Sequence, residues 1–338
     1  MSPWARDSLG VFVVAAAATA LSLPAWRSLC RRLGHVDDPG HRKIHARPIP
    51  LAGGFATATG WAVGALVAWA WLTWTAGTAE GAAGSGPLGP WAGDGPGRRR
   101  VVLIVAATAA ILGLGAWDDR RDLGAGWKFM GQGLVAGAVA AWGVRLPLPA
   151  GLEWLGPPIV LLWILGVTNA FNLSDNMNGL CAGLGLLGGA SVWAGALLAP
   201  PRPELACAAA LVAGGLAGYL PYNYPRASVF LGDAGSQSVG FLLAVLSLGV
   251  LPAEIPSWEI LPKTGAMALA AVAVPCIDLV FVSVARTLRG QPFWVGDTGH
   301  LSHRLARTRL GKPGAVALLW TLSAALAVCA VLATASRR

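Results

Sequence analysis

Charge is what this chain has least of. Only 12% of its 338 residues are Asp, Glu, Lys or Arg, about half the roughly 25% with which a soluble domain covers its surface. Most of its exterior must therefore face something other than water. Cysteine is sparse and unpatterned. Cys30, Cys181, Cys207, Cys276 and Cys329 include no CxxC pair, which argues against a disulfide framework or a thiolate zinc site and for inert thiols in helices. The chain carries no internal repeat of the kind that marks many transporters. A cleaved leader is not expected either. The first apolar run, Leu9 to Trp26, is long for one, and its basic residues Arg27, Arg31 and Arg32 follow it. That order favours a retained first helix with its N-terminus outside.

What is present is hydrophobic: 55% of the residues, with a mean hydropathy of +0.59. A spanning helix needs about 20 apolar residues to cross roughly 30 Å of hydrocarbon. The pattern predicts an all-α integral membrane protein of ten transmembrane helices in one domain over 1–338. The spans fall near 8–26, 51–76, 101–117, 128–145, 157–171, 179–199, 205–222, 236–252, 264–287 and 314–334. Interior Gly and Ala suit close helix packing in lipid, and the Gly- and Pro-rich segment 77–100 reads as a flexible loop. The net charge of +9 and pI near 10 would suggest nucleic acid in a soluble protein. Beside hydrophobic spans they are topology signals and contacts to membrane lipids instead.

Parity then sorts the loops. If residues 27–50 are cytoplasmic, so are 118–127, 172–178, 223–235 and 288–313, and both termini lie outside. Sixteen of the 25 Lys and Arg residues fall in or beside those loops, as the positive-inside rule requires, although Arg98, Arg99 and Arg100 oppose it. The acids divide more sharply. Nine of the 11 aspartates lie on the same side, and all five glutamates lie on the other. A bias to short carboxylates at one surface suggests positioned ligands for a divalent cation and phosphates.

Five segments on that side carry the polar residues. The first, Val36 to Gly54, concentrates Arg42, Lys43, His45 and Arg47 before Gly53-Gly54 at the mouth of a helix. Cations and backbone N–H groups there suit phosphate, although an ordinary positive flank contains the same residues. In the second, Asp118 and Asp119 directly follow a membrane helix, and Lys128 and Gln132 share a face of the next one at i,i+4. Paired carboxylates at the membrane face suit Mg²⁺; a solvated turn offsetting Arg120 and Arg121 is the plainer alternative.

The third segment holds Asn169, Asn172 and Asn176, which share a helical face if the helix continues. Amides at the end of an apolar helix must bind each other or a ligand. The fourth, Phe230 to Phe241, sets Asp233 between glycines with Ser236 after it: a compact loop of backbone donors and one carboxylate, or a helix capped by Asp233 or Ser236. The fifth, Pro275 to Leu305, has Asp278 inside a span, then His300 and His303 at i,i+3 with Arg304 adjacent. The Asp-rich surroundings favour hard, oxygen-liganded ions over zinc.

Taken in order, these segments resemble the polyprenyl-phosphate N-acetylhexosamine-1-phosphate transferases of glycosyltransferase family 4, and the WecA/TagO branch more than MraY. The resemblance spans nearly the whole chain. It is carried by Asp38-Pro39, Arg42-Lys43, His45 and Gly53-Gly54; by Asp118-Asp119, Leu123, Lys128 and Gln132; by Asn169, Asn172 and Asp175; by Gly232-Asp233 and Gly235-Ser236; and by Asp297, His300 and His303-Arg304. Two positions depart from the family pattern: Asn178, often Asp, and Ser302, often His. An Asn still offers an oxygen but cannot act as a base.

The resemblance implies transfer of a sugar 1-phosphate, GlcNAc-1-phosphate foremost, from a UDP-N-acetylhexosamine to undecaprenyl phosphate at the bacterial inner membrane, releasing UMP. It implies Mg²⁺ as cofactor, with Mn²⁺ able to replace it, no nucleic-acid partner, and a homodimer as a candidate assembly. A phosphate monoester has a second pKa near 6, so the lipid phosphate is largely dianionic and the main task is to bring two anions together. On that basis Asn172, Asp233 and Asp119 are expected at the metal. Asp118, Asp119, Asp175, His300 and His303 are expected to be catalytic. Arg42, Lys43, His45, Lys128, Asn169, Asn172, Asn178 and Arg304 are expected to bind substrate. A covalent aspartyl intermediate is the rival route. A transporter would place charges at mid-bilayer and pair broken helices, whereas here only Asp278 lies deep.

Overall fold

The computed structural model describes residues 2–38, 47–78, 96–198, 202–252, 260–292 and 299–335. Arg42, Lys43, His45 and Asp297 lie outside these, as does most of the 77–100 segment. Twelve helices form among the described residues: α1 (Pro3–Arg32), α2 (Gly53–Thr78), α3 (Pro96–Arg121), α4 (Ala125–Trp142), α5 (Gly156–Ser174), α6 (Leu180–Leu198), α7 (Pro203–Asn223), α8 (Gly232–Gly249), α9 (Ile260–Ala270), α10 (Ala273–Thr287), α11 (Leu301–Ala306) and α12 (Gly311–Ala335). Two short strands, β1 (Val36–Asp37) and β2 (Ile49–Pro50), pair antiparallel between α1 and α2.

Helices occupy all ten expected windows. Among the described residues, however, six are long and apolar enough to cross a membrane: α1, α3, α5, α6, α7 and α12. A seventh is counted if α9 and α10, bent by 68° at their break, form one span. Two of the windows that fall short do so for a visible reason. The polar residues of α4 (Lys128, Gln132) and of α8 (Asp233, Ser236, Gln237, Ser238) occupy their opening turns. The fifth window is longer than expected, because the helix runs on to Ser174. Large apolar side chains such as Leu21, Leu134, Trp142 and Leu162 point outward, as a lipid-facing surface requires.

The centre of the molecule is α8. Its residues Ala234 to Phe241 are all buried, and it packs against α2, α3, α5, α6 and α7. A helix buried on every side needs close neighbours, and glycine permits them. A Cβ on Gly115 of α3 would lie 2.5 Å from the Asp233 carbonyl oxygen and the Ala234 Cα. One on Gly54 of α2 would lie 2.5 Å from the Gly235 nitrogen. The same end of α8 is tied to β2 and α2 by backbone bonds: Phe230 N–H donates to the Pro50 carbonyl at 2.9 Å, Gly53 N–H to Phe230 at 2.9 Å and Gly54 N–H to Leu231 at 3.0 Å.

Those bonds correct the expectation for the first segment. The Gly53 and Gly54 N–H groups are engaged by carbonyls and do not await a phosphate; the glycines allow α2 to meet the start of α8. Gly115→Ala is expected to overpack that contact and destabilise the protein by about 1–3 kcal/mol. Gly113→Ala, whose added Cβ meets nothing within 4 Å, should be neutral or slightly stabilising. Thermal unfolding in detergent of the two variants, one turn-half apart on α3, checks the contrast.

Candidate active site

The start of α8 is a helix N-terminus inside the protein, and its own sequence does not cap it. Leu231 is the N-cap residue and supplies no side-chain bond. The cap comes from α3. Asp233 N–H donates to Asp119 Oδ1 at 2.7 Å, and Ala234 N–H donates to Asp119 Oδ2 at 3.1 Å. A carboxylate there satisfies orphan donors and the positive end of the helix dipole together. Gly232 precedes these donors with φ +73°, and a Cβ on it would come 2.8 Å from Asp119 Oδ2. Only glycine suits that position.

Asp119, expected at the metal, has its carboxylate on the backbone of α8. Its neighbour Asp118 joins the polar centre instead. Lys128, in the first turn of α4, lies 2.7 Å from Asp118 Oδ2 and donates to Asp233 Oδ2 at 2.8 Å and Asn172 Oδ1 at 3.0 Å. A lysine so near a helix N-terminus opposes the dipole; three oxygens from α3, α5 and α8 hold it there. Asn172 Nδ2 also donates to Asp233 Oδ1 at 2.7 Å and Ser236 Oγ at 2.9 Å. One turn deeper, Asn169 Nδ2 donates to Gln132 Oε1 at 2.7 Å, and Gln132 Nε2 donates to Gln237 Oε1 at 3.0 Å. Lys128 and Gln132 thus use the shared face that their spacing predicts.

A second cluster forms where α10 meets α11. Asp278 accepts from Leu301 N–H at 2.7 Å, and its Oδ2 lies 2.8 Å from His300 Nδ1. Asp278 is therefore a fixed point that orients His300 and caps α11. Arg304 donates from Nε to the Gly299 carbonyl at 3.0 Å, and its guanidinium lies 4.7 Å from the centre of the Phe281 ring. Burial, then the charges of His300, Arg307 and Lys312, lower the His303 pKa. The same surroundings therefore favour the neutral form of the His303 ring.

Ser302 Oγ of α11 donates to Asn176 Oδ1, just beyond the end of α5, at 2.7 Å. The helix that would have put Asn176 beside Asn172 ends at Ser174 with Asp175 as C-cap. Asn176 turns back to donate to the Leu173 carbonyl at 2.7 Å. Asn178 stands apart, donating to the Pro225 carbonyl at 3.1 Å. Gln237 and Gly115 carry no chemical signature that sequence reading could have seized on. The same holds for His35. Its buried ring packs on Phe55 with centroids 5.6 Å apart, and its Nε2 lies 4.0 Å from Asp119 Oδ2. Burial and then Arg120 lower its pKa.

Asp175 reports the electrostatics of the site. Burial first, then the carboxylates of Asp233 and Asp119, with Asp37 a smaller contributor, push its pKa up to about 8, against a backbone bond from Gly232. The folded protein therefore holds that proton over a window, from about 4 to about 8, in which the unfolded chain has released it. Stability falls as pH rises through the window. Asp175→Asn does not titrate, so its melting temperature relative to wild type is expected to climb between pH 5 and pH 8.5. Parallel melting curves for the two proteins would contradict this.

The family model described as "Glycosyl transferase family 4" matches residues 101–250, the stretch that carries Asp118, Asp119, Lys128, Asn172, Asp175 and Asp233. A Bacillus subtilis protein named as an undecaprenyl-phosphate N-acetylglucosaminyl 1-phosphate transferase is 27% identical over 328 residues, 95% of this chain and 83% of the relative. A Mycobacterium tuberculosis decaprenyl-phosphate N-acetylglucosaminephosphotransferase is 29% identical over 327 residues, 89% of this chain and 76% of the relative. A Streptomyces coelicolor protein named as a glycosyltransferase is 33% identical over 325 residues, 94% of this chain and 68% of the relative. A chain alike to such proteins over nearly its whole length, with its carboxylates gathered around one buried helix end, belongs to glycosyl transferase family 4.

Proposed function

We propose that this multi-pass membrane protein transfers GlcNAc-1-phosphate from UDP-GlcNAc to undecaprenyl phosphate and releases UMP. The observation that carries the reading is the meeting of Asp118, Lys128, Asn172 and Asp233, from four helices, at one point at the ends of membrane helices. A lipid phosphate and a soluble sugar nucleotide can meet only at such an interface. The names of the relatives support N-acetylglucosamine as the sugar. The active-site loops would face the cytoplasm from the inner membrane, with both termini outside.

Charge decides what the site needs. Asp118 and Asp233 share one ammonium, and burial together with the carboxylates of Asp233 and Asp119 raises the pKa of Asp175. Two phosphates cannot enter it without added positive charge. Asp118 Oδ2, Asp233 Oδ2 and Asn172 Oδ1 already converge on one cation, the Lys128 ammonium. Hard oxygens of this kind suit Mg²⁺, or Mn²⁺ in its place. No group of three or more His, Cys, Asp or Glu side chains forms a metal site among the described residues. That fits an ion held by one or two carboxylates together with substrate phosphates and water. Bound there, the ion would supply charge neutralisation for the diphosphate.

The residues of the chain do the rest. A lipid phosphate oxygen forms a bond to the sugar-linked phosphorus, and the bond from that phosphorus to the bridging oxygen breaks, leaving UMP. Asp118, paired with Lys128, orients the lipid phosphate, which needs little deprotonation because it is already largely dianionic. Lys128 balances charge as the anions approach. Asp119 holds the first turn of α8 and so fixes Asp233. His300, oriented by Asp278, and Arg304 contact the donor diphosphate, with Arg42, Lys43 and His45 contributing from the first segment.

Purified protein with UDP-GlcNAc, undecaprenyl phosphate and Mg²⁺ is expected to release UMP, measured directly by chromatography. Asp119→Asn, which sets an amide against two backbone donors, and Asp233→Asn should each lower turnover at least ~10²-fold, a common scale for positioned catalytic groups. Near-normal transfer by both variants would sink the assignment.

A further inference from the structure

His35 is a buried group beside the site that neither the sequence motifs nor the reaction accounts for. It follows α1 and is 4% exposed. Its backbone is anchored on both sides: its N–H donates to the Cys30 carbonyl at 2.8 Å, and its carbonyl accepts from Leu51 N–H at 3.2 Å. The ring lies against Phe55. Neither ring nitrogen has a hydrogen-bond partner among the described residues. A buried polar group left unpaired destabilises the fold, and an apolar side chain of similar size would occupy the same space without that penalty.

The ring is not far from an acceptor. His35 Nε2 lies 4.0 Å from Asp119 Oδ2, too long for a hydrogen bond but closed by a shift of about 1 Å. Asp119 Oδ2 is also the more weakly held of the two capping oxygens, at 3.1 Å from Ala234 N against 2.7 Å for Oδ1 and Asp233 N. Hydrogen bonds of active sites are often long in the free protein and tighten in the substrate complex.

We propose that His35 is a positioning residue: in the substrate-bound enzyme its Nε2–H donates to Asp119 Oδ2 and locks that carboxylate onto the first turn of α8. It acts through Asp119 on Asp233 and touches no substrate. The cost of its unpaired nitrogens in the free protein is recovered only when the site is filled, as for other strained groups at functional sites.

The proposal rests on the transfer reaction above and predicts opposite signs for stability and rate. Full-length wild type, His35→Leu and His35→Gln are compared with UDP-GlcNAc, undecaprenyl phosphate and Mg²⁺. Without substrates, the Leu variant should melt at a higher temperature than wild type, since it removes the unpaired nitrogens. Its kcat should nevertheless fall about 10-fold, the usual scale for groups that orient a site's own ligands, with KM for both substrates within about twofold. The Gln variant, which keeps a donor near the Nε2 position, should recover most of kcat. A Leu variant as fast as wild type, a Leu variant that loses stability and rate together, or a Gln variant as slow as Leu overturns the role of His35. No UMP release by wild type overturns the transferase reading and this inference with it, a result distinct from the other three.

Discussion

Everything chemical in this protein hangs on one capped helix end. The α8 N-terminus lies inside the molecule, where its N–H groups cannot turn to bulk water. The Asp119 carboxylate on α3 takes two of them. Once that contact forms, Asp233 in the first turn of α8 must point at Lys128 and Asn172, and Asp118, one residue before Asp119, must reach the same ammonium. Adjacent carboxylates thus divide the labour: one fastens a helix, the other serves the polar centre. The glycines at 54, 115 and 232 are the steric condition for it, since each lies where a Cβ would meet α8 or its cap.

The same device recurs at a smaller scale. Asp278 on α10 accepts the first N–H of α11 and orients His300, so a second aspartate fixes a second set of site residues by holding a helix start. In a membrane protein this arrangement has a particular logic. Backbone donors away from water must be satisfied internally, and a carboxylate from a neighbouring helix satisfies them while tying two helices into one rigid unit. Asp119 and Asp278 are therefore partly structural. Burial and then the carboxylates of Asp233 and Asp119 raise the pKa of Asp175, and that crowding of carboxylates is also what gives the site its demand for cations.

Much of the site was legible beforehand, for chemical reasons. Polar side chains at the ends of apolar helices are too costly to be incidental, which singled out Asp118, Asp119, Lys128, Asn169, Asn172 and Asp233; five of them share one network, and Asn169 bonds Gln132 one turn deeper. Asn178 had the right residue type but the wrong reach, bonding the Pro225 carbonyl. His35 had no signature, because an imidazole becomes notable only when its burial and its missing partners are seen. The ten-window topology was less secure than the site, since α4 and α8 place polar turns inside the protein, where hydropathy cannot distinguish a span from a buried helix.

Composition and spacing by themselves determined that this chain is helical and belongs in a membrane, because hydrophobicity is a property each residue carries wherever it sits. Which carboxylate serves a helix and which serves the cation was decided only in three dimensions. Asp118 and Asp119 are chemically identical and adjacent, and their roles separate solely because consecutive residues on a helix point about 100° apart, one toward the backbone of α8 and the other toward Lys128.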